Sequence, residues 1–293
     1  MTTPAPEATA GARRLAALPV LRIAAWQVAF VLAFVATGQG PAGAVAFGTL
    51  AALTLGLSAG RMRGEWLSTV AVRWLAFAAR SKEWPGEHLP LPRDSTLTSA
   101  GVLVSAEGMT VVVRTSEFAF PTLEAGADLQ LIGHRGPRQA GPGAWLAITV
   151  RRDAETATDE QLRVPLDNVV RRVRKEFALL TGREVEAAVR GLAHAGPSRE
   201  TWRHWRSGSI TQITFRLANG SLAVMERLLA EGREAAVTVA LRPDGTGVVR
   251  VAAPEARAAE RAARRMTEVT SLERLDGRHG PAVLASLPIG GLL

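Results

Sequence analysis

The 293-residue chain has no cysteine, no tyrosine and only two lysines, Lys82 and Lys175. Without cysteine there is no disulfide framework, no thiolate metal site and no sulfur nucleophile, which suits a reducing compartment. The missing tyrosine removes one catalytic acid. Arginine supplies the other 33 of the 35 basic residues, a bias that reads as GC-rich coding more than as chemistry. Acidic residues number 27, so the net charge is +8. A basic chain suits nucleic acid or an anionic membrane surface. The most informative absence is local: no charged residue occurs between Ile23 and Gly60.

At about 1.5 Å per residue, one helix over that stretch would run to nearly 60 Å, about twice a bilayer core. Thr37-Gly38-Gln39-Gly40-Pro41 interrupts it with the strongest turn formers. The prediction is a two-helix transmembrane hairpin over 18–60, with helices near 20–37 and 41–60. Residues 1–17 are expected to be a disordered tail. A cleaved signal peptide is disfavoured, because a second apolar helix follows at once without a convincing cleavage site. Arg13, Arg14 and Arg22 precede the hairpin, Arg61, Arg63, Arg73, Arg80 and Lys82 follow it, and the turn carries no charge. The positive-inside rule therefore predicts a multi-pass plasma (inner) membrane protein with both termini cytoplasmic. Ala44, Gly48, Ala52, Gly56 and Gly60 recur every four residues and suggest a stripe for close helix packing, either against the first helix or against another protein. The plain alternative is that Ala and Gly are simply abundant there.

Residues 61–84 read as a basic juxtamembrane helix, with Trp66, Val70, Trp74 and Phe77 on one face. Such a face docks a partner or lies at the interface; equally, the segment continues the second membrane helix into water. Three prolines mark 85–99 as a linker. The remainder, 100–293, reads as a cytoplasmic α+β domain. Strands are expected at 101–106, 109–114, 128–132, 144–151, 183–190, 210–217, 234–241, 247–252 and 282–285, with 183–190 equally able to prolong the helix before it. Helices are expected from Pro165, over 220–231, and from Pro254 to about Glu273. Residues 133–143 form a Gly/Pro loop without phosphate-loop spacing. The run Arg171, Arg172, Arg174 and Lys175 is a solvated face or a contact for headgroups or an acidic partner. Trp202 and Trp205 sit among Arg203 and Arg206, a composition suited to protein contact, to plain packing or, least well, to base stacking.

Catalytic signatures are missing. His88, His134, His194, His204 and His279 have no ligand spacing, and there is no HExxH or GxSxG. No cofactor or metal site is expected.

The chain resembles the EccE family, a membrane component of the actinobacterial type VII (ESX) secretion system. The likeness rests on AAWQ (24–27), RMRGEWLSTVAVRWLAFAAR (61–80), AGVLVSAEGMTVVV (100–113), RVPLDNVV (163–170) and RLDG…LASLPIGG (274–291). It covers nearly the whole chain. The resemblance implies a structural, non-catalytic subunit beside EccB, EccC and EccD, with no active-site residue to carry over. Two rivals stand beside it: a membrane-bound, transferase-like enzyme using a basic face at anionic headgroups, and a membrane-tethered nucleic-acid binder.

Overall fold

The computed structural model describes residues 10–62, 65–80, 83–84, 90–92, 94–122, 127–137, 139, 141–153 and 158–290, with side chains from residue 23 onward except at Met62 and Glu65. The chain divides into two compact units, Met1–Arg80 and Ser81–Leu293.

In the first unit, α1 (Ala10–Thr37) and α2 (Pro41–Ala59) form a helical hairpin. Gly40 is extended and hands over to Pro41 at the first helical position, where a missing N–H costs nothing. The two helices bury Ala29 and Ala51. Trp26 Nε1 donates to Ser58 Oγ at 3.0 Å, and Ser58 Oγ donates to Leu55 O at 3.1 Å. α2 is long and apolar enough to cross a membrane; in α1 the apolar segment with described side chains, Ile23–Thr37, is shorter. The expected disordered tail overlaps α1, which already begins at Ala10, and residues 1–9 lie outside the described residues.

The expected helix over 61–84 is shorter than the sequence suggests. Gly60 leaves α2 in extended backbone, β1 (Arg61–Met62) pairs with β2 (Glu65–Trp66), and α3 spans only Leu67–Ala79. Residues 63–64 and 81–82 lie outside the described residues.

The second unit is a mixed α+β fold on one large antiparallel sheet. Its first strands are β3 (Glu83–Trp84), β4 (Thr96–Leu97), β5 (Val102–Ser105), β6 (Gly108–Thr115), β7 (Ala127–Arg135) and β8 (Gly143–Arg151). Next come α4 (Asp159–Val173), β9 (Ala178–Leu179) and α5 (Gly182–Ala193). Then follow β10 (Ser198–Glu200), β11 (Trp205–Ser207), β12 (Ile210–Leu217), α6 (Leu222–Ala230), β13 (Ala236–Leu241) and β14 (Gly247–Ala253). The unit closes with α7 (Ala256–Val269), β15 (Glu273–Arg274) and α8 (His279–Ala285). The strand order is β3-β10-β11-β12-β14-β13-β7-β8-β6-β5-β4, with β15 also on β12 and β9 also on β6.

Five expectations change. Residues 183–190 are helix α5, not strand: Thr181 and Glu184 make a reciprocal capping box, and Val185, Val189 and Leu192 bury one face. Residues 282–285 belong to helix α8. α4 starts at Asp159, capped by Thr158 and Gln161, so Pro165 lies inside the helix rather than opening it. The linker expected over 85–99 is partly sheet, since Thr96 and Leu97 pair with Val104 and Leu103; residues 85–89 and 93 lie outside the described residues. The 133–143 loop is also shorter, because Gly133 is in β7. A Cβ there would stand 2.6 Å from both Leu229 Cδ1 and Met225 Cε.

The sheet is an internal duplication. In the first half, Val113 pairs with Leu146 and Leu179; in the second, Phe215 pairs with Val249 and Arg274. Leu103–Thr110 corresponds to Trp205–Gln212, and Leu131–Leu146 to Val239–Val249. That correspondence matches Gly133 to Leu241. The central ladder pairs Leu131 with Leu241 and Gly133 with Val239, as a twofold axis through the Ile132–Ala240 pair requires. α4 and α7 are then equivalent, as are α5 and α8. Leu180-Thr181-Gly182-Arg183 and Leu275-Asp276-Gly277-Arg278 are the matching sequence trace. The glycine N–H donates at 3.0 Å to Ser99 O in one copy and at 2.7 Å to Trp202 O in the other.

One sheet face carries the main apolar core under α4, α6 and α7, including Val113, Leu146, Phe215, Val249 and Met266. The other lies under α5 and α8. It is apolar around Leu103, Val112 and Val189 but polar in the second half.

Candidate functional site

Among the described residues, fifteen large hydrophobic side chains are exposed, and fourteen of them lie in the first unit; the exception is Val164. Phe30 and Phe34 are 82% and 77% exposed. Soluble surfaces seldom leave so much contiguous apolar area uncovered. The expected contact face of α3 is divided. Trp74 is exposed, Trp66 and Val70 are half-buried, and Phe77 is buried. Arg61 stacks over the Trp66 ring at 4.0 Å, a cation–π contact.

The small-residue stripe is only partly turned toward the inside of the hairpin. The side of α2 turned inward holds Ala44, Gly48, Ala51 and Ser58, whereas Ala52 and Gly56 are exposed. A four-residue repeat gains about 40° per step on a helix of 3.6 residues per turn, so the stripe winds off the interface. A Cβ on Gly48 or Gly56 would meet nothing within 4 Å.

Trp202 and Trp205 are half-buried. A Cβ on Gly277 would fall 2.5 Å from Trp202 Cζ3, and one on Gly280 2.9 Å from Trp205 Cζ3, so both rings rest on backbone around the start of α8. Arg203 and Arg206 are exposed; Arg206 lies opposite Arg199, which in turn lies opposite Glu83. His204 Nε2 sits 3.0 Å from Glu260 Oε1 on α7. Arg274 grips the same carboxylate with both terminal nitrogens at 2.8 and 2.9 Å, and its Nη2 also donates to Arg203 O at 2.8 Å. The Arg274 hydrogen bonds hold the Glu260 pKa at about 2. Beside this clamp, Arg203, His204, Ala256, Arg257, Glu260, Arg261 and Arg264 line a shallow cleft.

A second polar cluster was hidden in the sequence. Thr214, Arg250, Thr238 and His134 face one another across β12, β14, β13 and β7. Arg250 is 1% exposed. It donates to Gln212 Oε1 and Thr238 Oγ1, both at 3.1 Å, and its Nε has no partner among the described residues. Burial lowers its pKa to about 9, which leaves it charged at neutral pH. His134 Nδ1 is 2.9 Å from Thr238 Oγ1. Burial, and then the Arg250 charge, bring His134 and His194 down to about 4. His279, also lowered by burial, meets Thr214 Oγ1 at 2.8 Å. His134, His204 and His279 are thus held against the sheet or α7, whereas His194 ends α5 in the left-handed region and its buried Nε2 has no hydrogen-bond partner among the described residues; His88 lies outside them. Among the described residues, no three His, Asp or Glu side chains are grouped to hold a metal ion. No protein-family model matches the chain, and no curated protein gives a significant match.

Proposed function

We propose that this protein is a membrane-anchored structural subunit that works by contact, in the manner the resemblance to the EccE family of type VII (ESX) secretion implies. The observation that carries the reading is that fourteen of the fifteen exposed large apolar side chains among the described residues lie in the hairpin unit. At about 1.5 Å per residue, the 19 residues of α2 reach about 28 Å, close to a bilayer core. α1 completes a two-pass anchor with both termini cytoplasmic, and the flanking arginines meet anionic headgroups. The sheet unit then offers its surface to other membrane components of the complex, EccB, EccC and EccD on this reading.

Reporter fusions at residue 12, at Gly40 and at the C-terminus test the topology. They should read inside, outside, inside, and a periplasmic C-terminus overturns the scheme. Trp74→Ala, at an exposed aromatic of α3, should reduce co-purification of the other membrane components. Undiminished assembly removes α3 from the contact surface.

A further inference from the structure

The cleft along the first half of α7 has a charge balance that stability alone does not explain. Arg203, Arg257, Arg261 and Arg264 line it, and all four are exposed. The carboxylate among them, Glu260, is taken up by Arg274 and His204. Arg257, Arg261 and Arg264 stand at i, i+4 and i+7, so successive turns place like charges together, each pair costing a few tenths of a kcal/mol. Arg257 also lies in the first turn, where the helix dipole disfavours a cation. The duplication supplies an internal comparison. The equivalent helix α4 opens with Asp159 and Glu160, the arrangement the dipole favours, whereas α7 has an acidic residue only at its N-cap, Glu255, and none in its first turn. Arg265, on the adjoining side of α7, pairs with Glu234, so the helix does form ion pairs away from the cleft.

We propose that this cleft binds an acidic segment of a partner protein. Guanidinium forks recognise carboxylates in pairs, and three arginines spread over about 10 Å of helix suit several carboxylates in sequence. The surroundings favour a polypeptide over other polyanions. A single-stranded nucleic acid needs free aromatic faces, but Trp202 and Trp205 rest on Gly277 and Gly280. A lipid surface needs apolar side chains to insert, and the exposed large one described in this unit, Val164, lies on α4. The inference goes beyond the anchoring role and does not depend on topology or on type VII secretion.

The test uses the full-length protein in detergent and a fluorescent deca-glutamate peptide followed by anisotropy. Binding should weaken steeply with salt. It should fall at least tenfold in the triple variant Arg257→Gln, Arg261→Gln, Arg264→Gln and stay within twofold in the control Arg227→Gln with Arg233→Gln, exposed arginines on and just after α6. Circular dichroism checks that both variants fold; if the triple variant does not, Arg203→Gln with Arg264→Gln replaces it and should still lose severalfold. Overturning results are no binding by the parent protein, equal losses in the two variants, or tighter binding to oligo-dT or to phosphatidylglycerol vesicles than to the peptide.

Discussion

Acidification from pH 7 to pH 5 should loosen the centre of the sheet through His134 and His194. Both rest near pKa 4 in the folded protein, because burial and the Arg250 charge oppose a second cation. Unfolded, they titrate near 6.5. Between pH 6.5 and 4 the unfolded chain therefore binds more protons, and stability falls as pH falls. One pKa unit is about 1.4 kcal/mol, so each histidine costs about 2 kcal/mol at pH 5 and the pair costs about 4. That is a large share of a typical domain stability of about 5–15 kcal/mol. His279 acts in the same direction. Glu260 does not interfere, because its contribution is lost only below the ordinary carboxylate range, as pH falls toward 2. Native-state hydrogen exchange of the detergent-solubilised protein, read at β13 and β14 and corrected for intrinsic rates, measures the effect. Replacing both side chains, His134→Gln with His194→Gln, should remove most of the pH dependence. Equal protection free energies at pH 5 and 7 in the parent protein, or an undiminished drop in the double variant, would refute the reasoning.

Two further outcomes follow from packing. Gly277→Ala should destabilise the sheet unit by roughly 1–3 kcal/mol, since φ is +70° and the new methyl would press on Trp202; urea unfolding followed by Trp fluorescence measures it. In the hairpin, Ala51→Leu should disturb α1–α2 packing by about 1–3 kcal/mol, whereas Gly48→Leu with Gly56→Leu should leave the hairpin intact, as judged by helicity and melting in detergent.

The hairpins of the sheet unit were legible because alternation and turn residues agree. β12 falls on Ile210–Leu217 as the sequence indicates, and Gly245 turns β13 into β14 at φ +81°. α5 was misread because Arg183–Arg190 satisfies a two-residue and a four-residue repeat at once; the deciding signal was the Thr181/Glu184 box. α8 is a short apolar run buried on several sides, where periodicity says nothing. The duplication escaped notice because facing positions diverged: Ala147 stands where Arg250 does, and Val112 where Thr214 does. Only the Leu-x-Gly-Arg trace survives. Arg250 looked like an ordinary outward residue of an alternating strand, because its burial depends on chain far away that covers the second face. The basic cleft was half visible. Arg203 was singled out, but Arg257, Arg261 and Arg264 join it only once α7 packs across the sheet.

β3 and β4 lie at opposite ends of the strand order, yet only the segment from Trp84 to Thr96 separates them in sequence. Ten interstrand steps of about 4.8 Å would span about 48 Å in a flat sheet, whereas twelve residue steps reach at most about 43 Å. The sheet must therefore coil until its margins come within that reach, and one continuous stretch of chain supplies both of them. The short strands it contributes deny a neighbouring molecule a long open ladder at either margin. β3 is also where the chain coming from the hairpin unit first enters the sheet. A pull on the anchor would load the two-residue β3–β10 ladder first, so this ladder would part as a mechanical fuse before either repeat is disturbed.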